Sequence, residues 1–359
     1  MYTSFRPGEV WRDTGGKRIQ AHSSAIFYKD GTWYWYGENK EYTKPLKKVW
    51  HWGVRCYTSK DLYNWEDRGL IIPPQPYDLD LPLHPTYCMD RPHILYCEKT
   101  GKYVAWLKIV GGVTSQFMSV LQADDFFGPY EFVHKQYKPL GMDTGDFTLA
   151  EDKASGKAYF IFDRPHFEIG TATLTDDYTS VTGEYSAHYT GMQIPEAREA
   201  PAYFTRNGKH YLFTSGTTYY YPNQSRVAAF DDFHGEYTDL GDPHVGDKNN
   251  ISFNSQISWV FKVPDRDLYV ACADRWKPKR STPVIAELCY KMMDLATKSP
   301  RFDSLTKADY SLKEIKPLPR KETVKFDNTS RADYIWLPVR WEGDIPYIAW
   351  EDEWKWEDY

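Results

Sequence analysis

The fold is decided by residues 199–216, which read EAPAYFTRNGKHYLFTSG and whose pattern occurs five times along the chain. Each copy has a polar starter residue, an apolar stretch rich in β-branched and aromatic side chains, a turn containing Gly or Asp, and a second aromatic-rich stretch. The other starters are His22, Asp90, Asp146 and Gln256, and successive copies begin 68, 56, 53 and 57 residues apart. Such a repeat predicts an array of one supersecondary unit.

A second hairpin follows four of the copies, and residues 225–237 (SRVAAFDDFHGEY) show its pattern of small and β-branched residues, an Asp-rich turn and an aromatic residue. Two hairpins make a four-stranded antiparallel blade, and five blades arranged radially make a β-propeller. We therefore predict an all-β fold, a single five-bladed β-propeller over residues 1–359 with a central channel. A β-sandwich has similar turn spacing, but the regular interval of about 55 residues favours the propeller.

The fifth copy is interrupted by a polar, Lys-rich segment at residues 298–327. Beyond this segment, residues 334–341 (YIWLPVRW) and 346–354 (PYIAWEDEW) predict one more hairpin, because each is a short aromatic-rich run bounded by polar residues. We expect this C-terminal hairpin, residues 334–354, to close the ring of blades or to lie across it.

Composition narrows the classes of partner and compartment. A net charge of -6 over 359 residues gives no reason to expect a nucleic acid or an anionic membrane surface as partner, and favours a neutral substrate. The five cysteines form no CxxC pair and are odd in number, which favours a reducing compartment. The polar start of the chain, residues 1–13, lacks an apolar signal region, so we expect a cytoplasmic protein.

The starter residues are the candidate chemistry, because the first strand of each blade lines the channel of a propeller. Three of them are the carboxylic acids Asp90, Asp146 and Glu199, and carboxylates inside a protein are costly unless they are paired or used. Glycoside hydrolysis needs one acid and, for inversion, a base roughly 6.5–9.5 Å away. A third carboxylate can raise the pKa of the acid by repulsion. Residue chemistry alone leaves the three roles unassigned, and such residues can also hold channel water.

Five segments of the chain resemble glycoside hydrolase family 43, and specifically its exo-β-1,3-galactanase branch. They read GEVWRDTGGKRIQAHSSAIFYKDGTWYWYGENK, MDRPHILYCEKTGKYVAW, GDFTLAEDKASGKAYFIFD, REAPAYFTRNGKHYLFTSGTTYYYPNQSR and FNSQISWVF, within residues 8–276. The Arg-Glu-Ala-Pro and Asn-Ser-Gln elements are the specific ones. The resemblance implies an inverting enzyme, and the long aromatic loops, which would close the channel mouth, favour exo action. We expect no cofactor. Such an enzyme releases a galactose-configured sugar from the non-reducing end of a polysaccharide such as β-1,3-galactan.

The resemblance also implies residue roles. Glu199, in Arg-Glu-Ala-Pro, takes the place of the general acid, and Asp146 that of the residue that tunes and orients the acid. Most family members carry an Asp base at the start of blade one, where this chain has His22. The galactanase branch shares that gap and is thought to use the Gln of Asn-Ser-Gln as an imidic acid, so Gln256 is a candidate base. Asp90, one methylene shorter than the Glu of that branch, is the rival.

Further side chains are candidate sugar contacts. Tyr220 lies in an aromatic loop whose rings could stack on a pyranose, and Asn223 follows it. Glu38 ends an aromatic strand, where it could bind sugar hydroxyls or form an ion pair. Around Arg275, an ion pair at the end of a strand with a packed Trp is as plausible as substrate contact. The candidate contacts are Glu38, Arg91, Tyr220, Asn223, Arg275, Trp276 and His22.

Other functions have less support in the sequence. The ten histidines include no HxH or HExxH motif, so we expect no catalytic metal, although a channel ion remains compatible with the family. No GxGxxG, GxxxxGKS or GxSxG element occurs, which leaves nucleotide-binding and esterase functions unsupported. The alternatives are a β-galactofuranosidase, an α-L-arabinofuranosidase or a non-catalytic sugar-binding propeller. The pairing of Glu199 with Asp146 argues against the last, because a binding module has no use for a buried acid.

Overall fold

A computed structural model describes residues 1–112, 115–165, 167–277, 283–297 and 328–359. Its strands form five sheets. Blade one contains β1 (His22–Lys29), β2 (Thr32–Glu38), β3 (Val54–Ser59) and β4 (Glu66–Ile72). Blade two contains β5 (Cys88–Cys97), β6 (Lys102–Gly112), β7 (Ser115–Ala123) and β8 (Glu131–Tyr137). Blade three contains β9 (Phe147–Asp152), β10 (Lys157–Arg164), β11 (Glu168–Leu174) and β12 (Val181–His188).

The last two blades follow the same plan with one addition. Blade four contains β13 (Arg198–Arg206), β14 (Lys209–Gly216), β15 (Ser225–Phe230) and β16 (Thr238–Asp239). The short strand β17 (His244–Val245) joins the outer edge of blade five in parallel. Blade five itself contains β18 (Gln256–Lys262), β19 (Tyr269–Arg275), β20 (Asp333–Glu342) and β21 (Ile345–Ala349). The helix α1 (Pro283–Thr297) lies between β19 and β20 in sequence.

The hairpin turns use the residues that their geometry requires. In the β1–β2 turn, Asp30 and Gly31 both have positive φ, 49° and 70°. The β13–β14 turn repeats this with Asn207 and Gly208, at 52° and 80°. Two consecutive residues of positive φ define the tight turn whose twist matches antiparallel strands, and Asp-Gly and Asn-Gly are its preferred sequences.

The five sheets are arranged radially. The first strand of each blade contacts the first strands of both neighbouring blades, in the cyclic order β1, β5, β9, β13, β18 and back to β1. Clusters of buried apolar side chains fill the space between adjacent blades. The predicted five-bladed propeller with four-stranded blades is therefore confirmed. That it forms one domain over the whole chain stays a prediction.

The C-terminal hairpin belongs to blade five. Strand β20 pairs with β19 from Tyr269 opposite Val339 to Arg275 opposite Asp333, so β20 and β21 are the outer half of blade five and do not lie across the ring. The reason is that β19 needs an outer neighbour, and β20 supplies one whose residues are mostly buried. The interrupting segment 298–327 lies outside the described residues.

Residues preceding β1 pack against this same blade. The amide of Phe5 donates to the carbonyl of Trp354 at 2.8 Å, and their rings stack with centroids 4.3 Å apart. The amide of Gly8 donates to the carbonyl of Tyr334. These contacts tie the start of the chain to blade five. Within the described ranges no helix is long and apolar enough to cross a bilayer. The cytoplasmic location stays a prediction.

Candidate active site

A cavity of about 380 Å³ opens at the end of the propeller where the first strands begin. Three starters of these strands are each followed by a non-glycine residue with positive φ: Ser23 at 44°, Arg91 at 49° and Ala200 at 55°. The strand pairing slips by a residue at the same places. Such bulges re-aim side chains at the rims of β structures, and backbone strain of this kind clusters at functional sites.

Glu199 lines the cavity and is suited to be an acid. Burial, together with the negative charge of Asp146, raises the pKa of its carboxyl to about 8. Its Oε1 accepts a hydrogen bond from Nε2 of Gln256 at 3.2 Å. The carboxyl is therefore protonated at neutral pH and can donate a proton, as a general acid must.

Asp146 is the ionised partner of this acid. Although burial raises its pKa, the cations of Arg91 and Lys108 outweigh that effect and hold the pKa below the usual value. Nε of Arg91 is 2.9 Å from one carboxylate oxygen, and Nζ of Lys108 is 2.8 Å from the other. At the cavity, the carboxyl group of Glu199 is thus neutral and that of Asp146 is charged. Two carboxyl groups whose pKa values differ in this way can serve as the acid and as the group that tunes it.

Asp90 supplies a third carboxyl group to the cavity wall, from a different blade. It starts blade two, whereas Glu199 starts blade four, and blade three separates them. Its oxygens lie 3.4 Å from Nζ of Lys40 and 3.6 Å from Nζ of Lys108. The thiol of Cys88 contacts the same carboxylate at 3.1 Å.

Gln256 is held in one orientation by three neighbours. Its Nε2 donates to Oγ of Ser215 at 2.9 Å as well as to Glu199, while its Oε1 accepts from Nε1 of Trp276 at 3.1 Å. The amide therefore lies directly beside the acid, with both ends hydrogen-bonded.

An aromatic wall borders the cavity next to Gln256. The rings of Tyr220 and Trp276 meet edge to face with centroids 5.3 Å apart, and Tyr219 packs against Tyr220. Trp50 and Tyr87 line the cavity as well. Aromatic faces of this kind pack on the apolar face of a pyranose ring while polar groups bind its hydroxyls.

The structure brings seven of the predicted site residues together around the cavity. They are Asp90, Arg91, Asp146, Glu199, Tyr220, Gln256 and Trp276. Four others do not line it. His22 is fully buried, with Nδ1 2.8 Å from Asp274, and the bulge at Ser23 puts the serine in the cavity wall in its place. Arg275 donates to the carbonyl of Phe253 and does not reach the cavity.

The remaining two predicted contacts, Glu38 and Asn223, support neighbouring groups. Glu38 is buried behind the wall, where its Oε1 accepts from the backbone amide of Arg91 at 2.9 Å. Asn223 clamps the aromatic loop, because it bonds both the amide and the carbonyl of Gly216 and donates to Oγ1 of Thr218. Both side chains form hydrogen bonds within the protein and do not line the cavity.

Sequence reasoning missed several residues of the wall. Lys108 carried a usable signal, since it is a charged residue in the apolar stretch YVAWLKIV and pairs directly with Asp90 across the β5–β6 hairpin. Cys88 and Trp50 of the wall, and Lys40 behind it, lie in or next to connecting segments, where the repeat gives no register. No three His, Cys, Asp or Glu side chains among the described residues are grouped as metal ligands. The expectation of no catalytic metal stays a prediction.

Fold and site together define a propeller with the paired carboxyl chemistry of glycoside hydrolases. The chain belongs to the glycosyl hydrolases family 43, because the sequence model of that family matches residues 18–283. The family resemblance expected from the sequence is therefore confirmed. A search of curated proteins finds no match.

The solved structures that are similar to this chain include members of the same family. A family 43 β-1,3-galactosidase is 26% identical with a TM-score of 0.77, covering 100% of this chain and 64% of its own. A second one, solved with galactodeoxynojirimycin, is 26% identical with a TM-score of 0.76, covering 98% and 100%. The exo-β-1,3-galactanase from Phanerochaete chrysosporium, solved with galactose, is 22% identical with a TM-score of 0.73, covering 98% and 67%. This last similarity bears on the fold alone.

Proposed function

We propose that the protein is an inverting, exo-acting glycoside hydrolase that removes galactose from the non-reducing end of β-1,3-linked galactan or its oligosaccharides. The observation that carries the proposal is a pair of carboxyl groups in one small cavity, Glu199 with a raised pKa and Asp146 with a lowered pKa and two cationic partners. A sugar-binding propeller gains nothing from a carboxyl group kept neutral at physiological pH, whereas acid catalysis requires it.

The reaction is a single displacement in this proposal. The hydroxyl of the Glu199 carboxyl protonates the glycosidic oxygen as the bond between that oxygen and the anomeric carbon breaks. Water attacks the anomeric carbon from the opposite face and gives up a proton to the base, so the product has the inverted anomeric configuration. Glu199 then regains a proton and the base loses one to solvent, which restores the enzyme.

We assign the base to Asp90 and the orientation of the acid to Gln256. An inverting base must lie roughly 6.5–9.5 Å from the acid so that water and substrate fit between them. Asp90 is compatible with such a separation, because it belongs to blade two, which is not adjacent to blade four with Glu199. Gln256 is in direct hydrogen-bond contact with Glu199, at 3.2 Å, which leaves no room for water between those two atoms.

The choice of substrate rests on size and on the relatives. A cavity of about 380 Å³ is at the lower end of the usual range for ligand sites, about 300–1,000 Å³, and suits a terminal sugar better than the middle of a chain. The two structures 26% identical to the chain bear the name β-1,3-galactosidase. Galactofuranosides and arabinofuranosides are the competing substrates, because they suit the same family fold.

The test is hydrolysis of β-1,3-galactobiose, an aryl β-galactopyranoside, a β-galactofuranoside and an α-L-arabinofuranoside, with the first-formed anomer followed by NMR. We expect α-galactose from the galactobiose. Glu199→Gln should lose at least about 100-fold in kcat on galactobiose, and far less on an aryl galactoside whose leaving group needs no proton. Exclusive release of arabinose or galactofuranose, or unchanged turnover in Glu199→Gln, would overturn the proposal.

The base assignment has its own experiment. Asp90→Ala should lose activity, and azide should restore it by forming the inverted glycosyl azide, because a small anion can occupy the space of the missing carboxylate. Gln256→Ala should keep measurable turnover. The reverse result, an active Asp90→Ala and an inactive Gln256→Ala without azide rescue, would transfer the role of base to Gln256.

A further inference from the structure

Six charged groups behind and around the cavity form a closed ring of alternating sign. Each touches the next by an ion pair, except that the last step is a backbone hydrogen bond to a carboxylate. In order, they are Glu38, Lys40, Asp90, Lys108, Asp146 and Arg91. We call this set the charge ring. It connects the carboxylate assigned as base to the carboxylate that tunes the acid.

The charge ring has a side that lines the cavity and a side that does not. Asp90, Arg91, Lys108 and Asp146 line the cavity. Glu38 and Lys40 lie behind them, with 1% and 0% of their surfaces exposed. A fully buried lysine is rare, because the desolvation of an ammonium group is unfavourable unless anions offset it. The two anions that contact Lys40 are Glu38 and Asp90.

We propose that Lys40 is a positioning residue that fixes the carboxylate of Asp90 towards the cavity and keeps it ionised, with Glu38 holding the lysine in place. Lys40 does not line the cavity, so it acts through Asp90 and not on the sugar. The importance of this role for catalysis rests on the proposed function. The effect of Lys40 on the ionisation of Asp90 does not, because it can be measured without substrate.

Other charged and titratable groups face this position from the surrounding elements. From the strands, Asp90 is faced by the Cys88 thiol and Lys108, and Lys40 by Glu38. From the loops, His51 and Tyr220 interact electrostatically with the same groups. Burial lowers the pKa of His51 to about 3, so this imidazole is neutral at physiological pH. Lys40 and Lys108 each place an ammonium group next to the carboxylate of Asp90.

The test measures the pKa of Asp90 directly, by titrating its side-chain carbon resonance in protein labelled with ¹³C-aspartate and assigned with Asp90→Asn. Replacing Lys40 by Met keeps the length of the side chain and removes its charge. We expect the pKa of Asp90 to rise by about one pH unit or more, since an opposite charge at this distance lowers a carboxyl pKa by about 1–3. The low-pH limb of kcat/KM should move by a similar amount.

The controls separate this role from a general loss of structure. Lys40→Met leaves Glu38 buried without its cation, so the double variant Lys40→Met with Glu38→Gln removes both charges and should show the same direction of change. Glu38→Gln alone keeps Lys40 and should not raise the pKa of Asp90. Lys138→Met removes a partly buried lysine that pairs with Asp143 at 2.7 Å, outside the ring, and should leave Asp90 unchanged.

The outcomes are distinct. An unchanged pKa of Asp90 in both Lys40→Met and the double variant would overturn the proposal, as would an equal rise in Glu38→Gln. Failure of the proposed function would appear differently, as absent galactoside hydrolysis in the wild-type protein, because the NMR titration needs no substrate.

Discussion

At the scale of single residues, the ionisation of Glu199 links catalysis to stability. Its pKa is raised to about 8 in the folded protein, against a usual value of 4.5. Above pH 4.5 the unfolded chain releases this proton while the folded chain keeps it. Stability therefore falls as the pH rises from about 4.5 to about 8, and this loss disappears if the residue cannot ionise.

Glu199→Gln should accordingly stabilise the protein while it inactivates the enzyme. We expect its melting temperature to equal that of the wild type near pH 4 and to exceed it increasingly up to about pH 8, because glutamine does not titrate. Thermal unfolding of both proteins across this range checks the prediction. A constant difference at all pH values would contradict it.

Asp146→Asn should move the high-pH limb of activity. The acid works only while protonated, so wild-type kcat/KM should fall as the pH rises through about 8. Removing the anion and leaving Arg91 and Lys108 in place lowers the pKa of Glu199, so the fall should occur at lower pH. The pH profile of kcat/KM is the measurement. An unmoved high-pH limb would show that Asp146 does not tune the acid.

The residues show what a sequence can predict of this site. The carboxyl groups Glu199, Asp146 and Asp90 were predicted because the repeat places them at equivalent strand starts. His22 starts a strand in the same way, but a bulge turns it inward against Asp274, and a bulge is not visible in the pattern. Lys40 was missed because it lies in the loop after β2, where it contacts Asp90 from behind the cavity wall, and loops carry no periodicity.

At the scale of secondary-structure elements, the close approach of β1 and β2 depends on Gly37. A Cβ atom there would lie 2.5 Å from the carbonyl oxygen of His22 and 2.6 Å from the carbonyl carbon of Ala21, and backbone atoms cannot move aside cheaply. The contact is next to the bulge that puts Ser23 in the cavity wall.

Gly37→Ala should therefore destabilise the protein by about 1–3 kcal/mol, the usual cost of overpacking. Gly235→Ala is the matched control, because its Cβ would meet Asp232 at 3.2 Å in a surface turn. Chemical denaturation of both variants measures the difference. Equal stabilities would show that β1 and β2 tolerate the extra methyl group.

The loop at residues 216–223 carries the tyrosines of the aromatic wall, and the hydrogen bonds of Asn223 hold this loop. Asn223→Ala removes three hydrogen bonds and should loosen Tyr220, which raises KM for galactobiose with a smaller effect on kcat. Steady-state kinetics tests this. The reverse pattern, a loss of kcat at constant KM, would show that the substitution acts on the neighbouring acid, Glu199, and not on the aromatic wall.

The pairing of the C-terminal hairpin could not be predicted from the sequence. The strands of the C-terminal hairpin were recognised from their aromatic runs, but not their partner. Pairing between β19 and β20 joins residues separated by a long insertion, and local patterns contain no information about which distant strand completes a sheet.

At the scale of the whole molecule, the start and end of the described chain are locked together. Phe5 is 3% exposed and packs among the rings of Trp11, Tyr63, Trp336 and Trp354. Phe5→Ala should cost about 3–5 kcal/mol, the usual loss for a buried phenylalanine. Thermal and denaturant unfolding check this. A loss below about 1 kcal/mol would mean that the start of the chain does not contribute to the stability of the ring.

Blade five has a consequence for synthesis on the ribosome. Its inner strands β18 and β19 emerge early, whereas β20 and β21, which pair with β19, emerge only after residue 333. Until then β19 presents an unpaired edge, the kind of surface to which foreign strands bind. The nascent chain thus carries four blades that can form and a fifth that is incomplete until residues 333–349 have been made, so the demand for chaperones should be highest while the stretch between β19 and β20 is being translated.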